Sequence, residues 1–384
     1  MSRMRAGVGR VDITPPVGIP AGGWGNQAHE ISEGNDLELW ATVLVVEGAD
    51  GARAAIADID LCILDDAQAA RARTVIAQAA DIPAERVAVG TTHNHSVPVT
   101  LELGGAWIRR NRELVAPYVE SVFEAIGRAA EEAAAALRPV RVGAGRGSSP
   151  LAVNRRMTRP DGTAAVGLNP DGVVDHTLTV VRLDGDDDRP VVTIVHYACH
   201  PIILGPDNTY VTPEYPGIVK RVVEASLGGH CLFVQGACGD VGPSELFVPE
   251  LSTYRRLGAM IGHEAAATAF RSSWRAHRQR LREGEASAWI ASFEYGPDAE
   301  PDATVAVALV GVPVELFSEI GTSIRDAAPF RTTLVASYWN GYRNYLPTDA
   351  ERPRGGYEID ISPFRPGADM LVTAASGRAL EALR

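Results

Sequence analysis

Short apolar runs of strand length alternate with helical stretches along the chain, and this alternation limits the folds open to it. Trp40–Gly48 and Pro190–His200 are rich in aliphatic and β-branched residues, as strands are. Asp65–Ala80 and Arg112–Arg138 have the Ala-rich or amphipathic composition of helices. The pattern predicts an α/β fold with mixed β-sheets packed against flanking helices. No shift in composition marks a boundary, so we expect residues 1–384 to form a single large domain.

The same reading predicts further elements. The other predicted strands are Ala52–Leu64, Arg86–Ser96 (running into a polar loop), Cys231–Asp240, Ala303–Val312 and Thr333–Trp339. The other predicted helices are Gly217–Leu227 and Leu251–Ala269, and the predicted surface connections are Asp184–Pro190 and Glu283–Pro301.

Charge and composition exclude several classes of function. The formal net charge of -12 argues against binding to nucleic acid or to an anionic membrane surface, since both require a Lys/Arg footprint. No apolar run is long enough for a signal peptide or a membrane span. Four scattered cysteines do not form a disulfide framework in a chain of this length. The expectation is a cytoplasmic protein with reduced thiols and no membrane anchor.

Two histidine-containing loops follow predicted strands. His93 and His95 stand at positions i and i+2, which face the same side of an extended chain and suit one metal ligand with a polar neighbour. The alternative is a loop with two surface histidines. In the second loop His196 and His200 are both candidates, and the alternative there is a buried histidine satisfied by the backbone.

Three more segments carry polar or glycine residues at strand ends. The glycines of Gln235–Pro243 permit close backbone approach, although a tight turn is the simpler reading. Glu315 follows a strand just inside a predicted helix start, where it could equally be a helix-dipole carboxylate. The last segment holds tyrosines that predict either a lined cavity or a packed aromatic cluster: Tyr338, Tyr342, Tyr345 and Tyr357.

Together these motifs resemble, in the same order, the catalytic domain of neutral/alkaline non-lysosomal ceramidases and their bacterial relatives. The resemblance runs from Val11–Pro15 to Tyr357-Glu358. It implies one Zn²⁺ ion, with a ligand set taken from the matching positions: His93, His200, Glu315 and Tyr345. His95 then lies beside the substrate, and His196 becomes a core residue.

The resemblance also assigns residues around the substrate. Arg155, in an Asn-Arg context, and Tyr357, twelve positions after Tyr345, would stabilise the oxyanion or bind a substrate carboxylate. His95 would act as general base or proton donor, and Asp240 would orient a ligand histidine. Tyr342 and Gly242 are expected to line the substrate cavity.

One position departs from the family pattern. The family's Gly-Asp-Val-Ser-Pro carries the serine proposed as nucleophile, and this chain has Gly239–Pro243 with Gly242 in the place of that serine. Ser244 lies two positions further on and would point elsewhere. The family's C-terminal immunoglobulin-like domain is also not expected in this sequence.

The function predicted is that of a zinc-dependent hydrolase that cleaves an amide (C–N acyl) bond of a small or acylated substrate with metal-activated water. One alternative is a zinc esterase or lactonase at the same site. Another is a non-catalytic metal- or ligand-binding relative. The expected partner is the substrate alone, with a homo-oligomer left open.

Overall fold

The computed structural model describes residues 4–24, 27, 29–98, 100, 110–270 and 307–383. The strands are β1 Arg5–Asp12, β2 Gly34–Asn35, β3 Trp40–Glu47, β4 Arg53–Ile59, β5 Val87–Thr91, β6 Arg138–Pro139, β7 Arg141–Ser148, β8 Ala152–Thr158, β9 Ala164–Asn169, β10 Thr177–Asp184, β11 Pro190–Tyr197, β12 Tyr210–Val211, β13 His230–Gln235, β14 Val241–Pro243, β15 Val307–Val312, β16 Glu315–Leu316, β17 Thr332–Ser337 and β18 Tyr345–Leu346. The α-helices are α1 Asp66–Ala80, α2 Val115–Ala135, α3 Glu214–Leu227, α4 Leu251–Phe270, α5 Ser318–Asp326, α6 Tyr357–Asp360 and α7 Ala368–Glu381.

A five-stranded mixed sheet runs in the order β5-β4-β3-β1-β6. The pairs β1–β3 and β3–β4 are antiparallel and β4–β5 is parallel. Successive side chains of a strand point to opposite faces. Val43 and Val45 therefore pack with Ile76 of α1 and Ile126 of α2, while Leu44 points to the other face.

A four-stranded mixed sheet runs in the order β13-β11-β10-β7. Val195 and Phe233 face α3 and α4, where they meet Val219 and Ile261. Ile194 of the same sheet points the opposite way, into the cluster that contains Leu44 of the first sheet. The two sheets therefore lie face to face, and helices cover both outer sides.

The resulting order of layers is helix, sheet, sheet, helix. This confirms the predicted fold class of mixed sheets with flanking helices. The strands β3, β4, β10, β11 and β13 are buried on both faces. Their sequences are therefore mostly apolar and do not alternate between apolar and polar residues. None of the helices in the described part of the chain is long and apolar enough to cross a bilayer.

Smaller sheets bring later parts of the chain to one end of this sandwich. Strand β8 pairs with β14 and β9 in a three-stranded sheet. β15 pairs with β17, and β16 with β18, both in parallel. The β16–β18 pair sets Glu315 beside Tyr345.

The single lysine of the sequence joins α3 to the five-stranded sheet. Lys220 is 3% exposed, and its ammonium lies 2.6 Å from Asp60 Oδ1 and 3.2 Å from Asp58 Oδ2. Asp58 Oδ2 also accepts the N–H of Phe233, and Asp60 Oδ2 accepts the N–H of Trp40. Asp58 Oδ1 is buried without a hydrogen-bond partner among the described residues. The buried ammonium is thus paired with two carboxylates, as a buried charge must be paired.

The predicted elements are found with shifted ends, and several strands were missed. The α1 helix begins after Asp65, whose side chain forms a capping box with Gln68. The last predicted strand ends at Ser337 rather than Trp339. Part of Ala303–Val312 and all of Glu283–Pro301 lie outside the described residues. The elements that the sequence analysis did not predict include β1, β7, β8, β9, β10 and α7.

Candidate active site

The chemistry-bearing residues stand where strands end. His93 and His95 follow β5, and His200 follows β11. Glu315 lies in β16, before α5 begins at Ser318, and so it is not inside the helix start as the sequence analysis expected. Asp240 follows β13 and immediately precedes β14. Loops held by a rigid sheet position side chains well, which is why sites form there.

Two residues of the site adopt left-handed backbone conformations that side chains seldom favour. His93 has φ 60° and Tyr338 has φ 63°. Such conformations cost free energy and are concentrated at functional sites. Here they allow the Tyr338 ring to stack on the His93 imidazole, with ring centroids 3.7 Å apart.

The structure brings His93, His200 and Glu315 together in a buried cluster. Candidate ligand atoms of these three residues all lie within 4.8 Å of one another. The Nε2 atoms of His93 and His200 are 3.1 Å apart, and His93 Nε2 lies 3.5 Å from Glu315 Oε2. Each of the three is at most 2% exposed. A buried set of two imidazoles and a carboxylate is a chemically sound divalent-cation site.

His95 is part of the same cluster. Its Nε2 lies 3.3 Å from that of His93 and 3.0 Å from that of His200. Its ring packs on Trp24 with centroids 4.7 Å apart. The sequence analysis placed His95 beside the substrate, and the structure puts it within reach of the same point as the other two imidazoles.

The far nitrogen of each imidazole faces a backbone carbonyl. His93 Nδ1 lies 3.0 Å from the carbonyl oxygen of Cys62, and His95 Nδ1 lies 3.1 Å from that of Gly23. His200 Nδ1 lies 3.3 Å from that of Cys238. A carbonyl oxygen can only accept, so each Nδ1 carries the proton.

Two tyrosine hydroxyls hold the Glu315 carboxylate. Tyr338 donates to Oε2 at 3.1 Å and Tyr342 to Oε1 at 2.7 Å. Burial by itself raises the pKa of Glu315, but the charge of His93 and the hydrogen bonds from His93 and Tyr342 outweigh it and lower the pKa to about 2. Glu315 is therefore an anion at neutral pH, and the hydroxyl of Tyr342 is engaged with it.

The pKa values of the imidazoles diverge because a single positive charge is shared among them. Burial lowers the pKa of His95 to about 3, helped by the charge of His93. Burial and Arg155 hold the pKa of His200 well below its usual range. Burial also opposes charge on His93, yet Cys62 and Glu315 raise the pKa of His93 to about 10. The positive charge of the protonated cluster therefore rests on His93, next to Glu315.

Arg155 is buried beside this cluster in a network of its own. Its guanidinium donates to the Tyr345 hydroxyl at 2.9 Å, to the Gly239 carbonyl at 2.9 Å and to Glu358 Oε1 at 3.1 Å. Glu358 also pairs with Arg156 at 2.7 Å. The Tyr345 side chain thus reaches the site, but its hydroxyl is bonded to Arg155.

The remaining predicted residues occupy different parts of the site. Tyr357 is 53% exposed at the rim, with its ring centroid 5.8 Å from that of Tyr345. The Asp240 carboxylate accepts from the Ser318 N–H at 2.7 Å and from the Ser318 hydroxyl at 3.1 Å. Its hydrogen bonds in the described structure go to Ser318 and Asn154 rather than to a histidine, so Asp240 anchors the start of α5.

Gly242 leaves a small space next to Arg155. A Cβ built on Gly242 would lie 3.4 Å from Ile202 Cδ1 and 3.8 Å from Arg155 Cβ, which is ordinary contact. Cys238 offers no substitute nucleophile, because its thiol is fully buried. Burial raises the pKa of Cys238 to about 12, so it stays protonated. Cys62 also lies near the cluster, with its Sγ 3.9 Å from His93 Nδ1.

The sequence analysis gave no role to three residues that contact the site in the structure. Tyr338 was one tyrosine among four, and only the fold shows that it touches both His93 and Glu315. No sequence motif marked Trp24 as a residue that packs on His95. Glu358 was noted only as the neighbour of Tyr357, although its buried carboxylate next to two arginines proves to fix Arg155. His196, the other candidate of its loop, lies in the core with Nε2 3.0 Å from the Val335 carbonyl.

Comparison with known sequences gives the family. The sequence model of the neutral/alkaline non-lysosomal ceramidase N-terminal domain matches residues 4–246, which is more than half of the chain. The chain belongs to this family. His93, His95, Arg155 and His200 fall within the match, and Glu315 lies beyond it.

Solved ceramidase structures share the fold. The crystal structure of neutral ceramidase from Pseudomonas aeruginosa superposes with a TM-score of 0.79 at 18% identity, covering 100% of this chain and 75% of that one. A ceramidase complexed with C2 superposes with a TM-score of 0.78 at 18% identity, covering 100% of this chain and 76% of that one. No curated protein sequence matches the chain significantly.

Proposed function

We propose that this protein is a zinc-dependent hydrolase that cleaves the amide bond of a small or acylated substrate. The observation that carries the proposal is the buried meeting of His93, His200 and Glu315. Membership of the ceramidase family supports hydrolysis of an amide.

The residues present fit a zinc ion. His93 and His200 direct Nδ1 at backbone carbonyls, so Nε2 is the nitrogen that each turns into the cluster, and a bound metal ion would take the place of the Nε2 proton that Glu315 favours on His93. Glu315 is fixed as an anion by two tyrosine hydroxyls. Nitrogen and carboxylate donors of this kind suit Zn²⁺, and the outer hydrogen bonds orient them as they do in metalloenzymes. His93, His200 and Glu315 would hold the ion.

When bound, zinc polarises an acyl oxygen and lowers the pKa of water towards about 7. The other groups of the site bind and orient the substrate. The buried guanidinium of Arg155 would attract a substrate carboxylate or the negative charge that develops on the acyl oxygen. Tyr357, exposed at the rim, would donate from its hydroxyl to the same group.

The nucleophile proposed is water. Gly242 has no side chain where the family pattern has serine, and the Cys238 thiol is buried and protonated. Ser244 is exposed, and its N–H is bonded to the Leu151 carbonyl. An acyl-enzyme intermediate is therefore not expected.

The test compares a panel of N-acyl substrates with O-acyl substrates of the same acyl groups, using metal-free protein, zinc-restored protein, two site variants and one control variant. His93→Ala and Glu315→Gln should lose both bound zinc and turnover, while His263→Ala, an exposed histidine on α4, should retain both. Faster turnover of the O-acyl series would favour the esterase alternative. Full zinc content and unchanged activity in both site variants would refute the assignment.

A further inference from the structure

Phe247 is an exposed aromatic residue whose backbone is fixed in a disfavoured conformation. It is 39% exposed, and its φ of 59° lies in the left-handed region that bulky residues rarely adopt. Its N–H donates to the Ile202 carbonyl at 3.1 Å, and the N–H of Val248 donates to the Ile203 carbonyl at 2.8 Å. A Cβ on Gly205 would lie 2.8 Å from Phe247 Cα, so this glycine permits the close approach. The fold thus holds the Phe247 backbone firmly without burying the residue.

The Phe247 ring lies at the end of a row of rings that begins at the candidate active site. Ile202, which accepts from Phe247, donates its own N–H to the His200 carbonyl at 2.9 Å. The Phe247 ring meets Trp24 edge-on, with centroids 5.3 Å apart and an angle of 86° between the planes. Trp24 in turn packs on His95, whose Nε2 is 3.0 Å from that of His200. Trp24 and Phe247 therefore extend from the imidazoles towards the solvent.

The hydrophobic core does not account for these two rings. The four apolar core clusters among the described residues include neither Trp24 nor Phe247. Val248, the next residue, does pack on one of them, so the smaller side chain points inward while the larger one stays exposed. Exposed apolar rings beside a polar cluster are typical of ligand-binding surfaces, and disfavoured backbone conformations are concentrated at functional sites. The pair has the properties of a binding surface.

The polar residues of the site offer contacts of a different kind. Arg155 donates to the Tyr345 hydroxyl at 2.9 Å, and Tyr342 donates to Glu315 at 2.7 Å. Guanidinium and hydroxyl groups suit a carboxylate or another polar group of a substrate. Trp24 and Phe247 offer apolar ring surface instead. An amide with an apolar acyl group and a polar amine portion would use both kinds of contact.

Two rings fixed at a steep angle favour a third ring over a flexible chain. Aromatic rings prefer offset-stacked or edge-to-face contacts, with centroids about 4.5–7 Å apart. A planar group that lies flat on one of the two rings would meet the other at its edge, so both preferred contacts form together. Because Trp24 touches His95 directly, such a group would lie within a few bonds of the carbonyl that is to be cleaved.

We infer that Trp24 and Phe247 form the acyl-binding surface of the site and select substrates whose acyl group carries an aromatic ring close to the carbonyl. This inference rests on the proposed function and names its substrate class, which is N-aroyl compounds with a carboxylate on the amine portion. The two residues determine specificity and take no part in the chemical step.

Binding of hydroxamates tests the surface without turnover, because these compounds bind zinc and carry one variable group. Calorimetry gives the Kd of benzohydroxamate, cyclohexanecarbohydroxamate and acetohydroxamate for zinc-loaded wild type, Trp24→Leu and Phe247→Asn. The control is Phe270→Asn, at an exposed phenylalanine that ends α4. Asparagine tolerates a left-handed φ better than phenylalanine does. Phe247→Asn should therefore fold with a thermal midpoint no lower than that of the wild type.

The wild type should bind benzohydroxamate about 10-fold more tightly than acetohydroxamate, with the cyclohexane compound between them. Trp24→Leu and Phe247→Asn should each reduce this preference to within about 3-fold and leave the Kd of acetohydroxamate unchanged. The control should keep the full preference. A preference for the aromatic ring that survives in both site variants overturns the inference. Equal affinity of the wild type for the benzene and cyclohexane compounds does so as well.

Turnover tests which half of the substrate meets the rings. N-benzoylglycine carries its ring in the acyl group, and N-acetylphenylglycine carries it in the amine portion. The wild type should have the higher kcat/KM for N-benzoylglycine, and this advantage should disappear in Phe247→Asn. The reverse order of the two substrates in the wild type overturns the assignment to the acyl group.

The outcomes separate this inference from the proposed function. A preference for benzohydroxamate that depends on Trp24 and Phe247, in a protein that hydrolyses no amide, would support the binding surface and refute the hydrolase. Zinc-dependent amide hydrolysis with the same substrate preference in the wild type and both site variants would do the reverse. A wild type that binds none of the three hydroxamates would overturn both.

Discussion

The ring of Tyr338 lies flat against the imidazole of His93, with centroids 3.7 Å apart and an angle of 10° between the planes. The Tyr338 hydroxyl donates to Glu315 Oε2 at 3.1 Å. One side chain therefore fixes the orientation of two proposed ligands that are far apart in sequence. Tyr338 makes both contacts from a left-handed backbone conformation, which costs free energy for a side-chain-bearing residue.

Tyr338→Phe should lower zinc affinity about 10-fold, since the stacking survives while the hydrogen bond that orients Glu315 is lost. Chelator competition measures the effect. Tyr210→Phe, at a half-exposed position on β12, is the matched control and should leave affinity unchanged. Equal affinity in both variants would show that Glu315 needs no such support.

Restoring a serine at Gly242 should be tolerated by the fold. The added Cβ meets only Ile202 and Arg155 at ordinary contact distances, so Gly242→Ser should change the free energy of unfolding by less than about 1 kcal/mol. Gly239→Ser is the contrasting variant, because its Cβ would lie 2.7 Å from the Glu315 carbonyl oxygen. Urea denaturation should show that Gly239→Ser alone is strongly destabilised.

The same variant tests the nucleophile. Intact-mass spectrometry during turnover should detect no acyl adduct on the wild type. If Gly242→Ser forms one, the geometry around Arg155 is still competent for the serine route. An adduct on any residue of the wild-type chain would contradict hydrolysis by water.

Glu358 should matter more to stability than its neighbour Glu351. It is 1% exposed and pairs with both Arg155 and Arg156, so Glu358→Gln removes the paired carboxylate of Arg155 and leaves Arg156 with Glu351 alone. We expect a loss of about 3 kcal/mol in the free energy of unfolding. Glu351→Gln, which breaks the half-buried pair with Arg156, should cost much less by the same urea denaturation. Similar losses would contradict the role given to Glu358.

Asp240 should make stability depend on pH. Burial raises the pKa of Asp240 from 3.8 to about 7, despite the hydrogen bonds from Ser318 that lower it. The folded state therefore holds a proton that the unfolded state releases between these values. Stability from this group is complete below about pH 3.8 and is lost as pH rises through about 7, with a slope of at most about 1.4 kcal/mol per pH unit.

Asp240→Asn removes the titration while keeping an acceptor for the Ser318 N–H. Urea denaturation from pH 5 to pH 8 should show wild-type stability falling relative to the variant. A difference between the two proteins that stays constant over this range would mean that Asp240 is already charged in the folded state.

The parts of the fold that the sequence revealed are those with strong local patterns. β3 and β11 were recognised by their continuous apolar runs, and α1 by its acidic start and Ala-rich body, all of which are local signals. β1 and β7, with Gly7, Gly9, Gly143, Gly145 and Gly147, were missed because glycines interrupt the apolar pattern. In the structure those glycines permit close packing, as at Gly9, where a Cβ would lie 2.0 Å from the Ala129 carbonyl oxygen of α2.

The sequence predicted which residues form the candidate site better than it predicted the contacts between them. The resemblance selected His93, His200 and Glu315, and the fold brings them together. It could not show that the Tyr345 hydroxyl is bonded to Arg155 or that His95 Nε2 joins the other imidazoles. Those relationships depend on side-chain directions set by the fold, which no sequence motif carries.

Lys220, paired with Asp58 and Asp60 inside the protein, is the only lysine of the sequence. Amine-reactive cross-linkers and dyes therefore meet no lysine on the described surface, whose positive groups are arginines. Attachment to a support through amines would therefore not involve Lys220 while the protein stays folded.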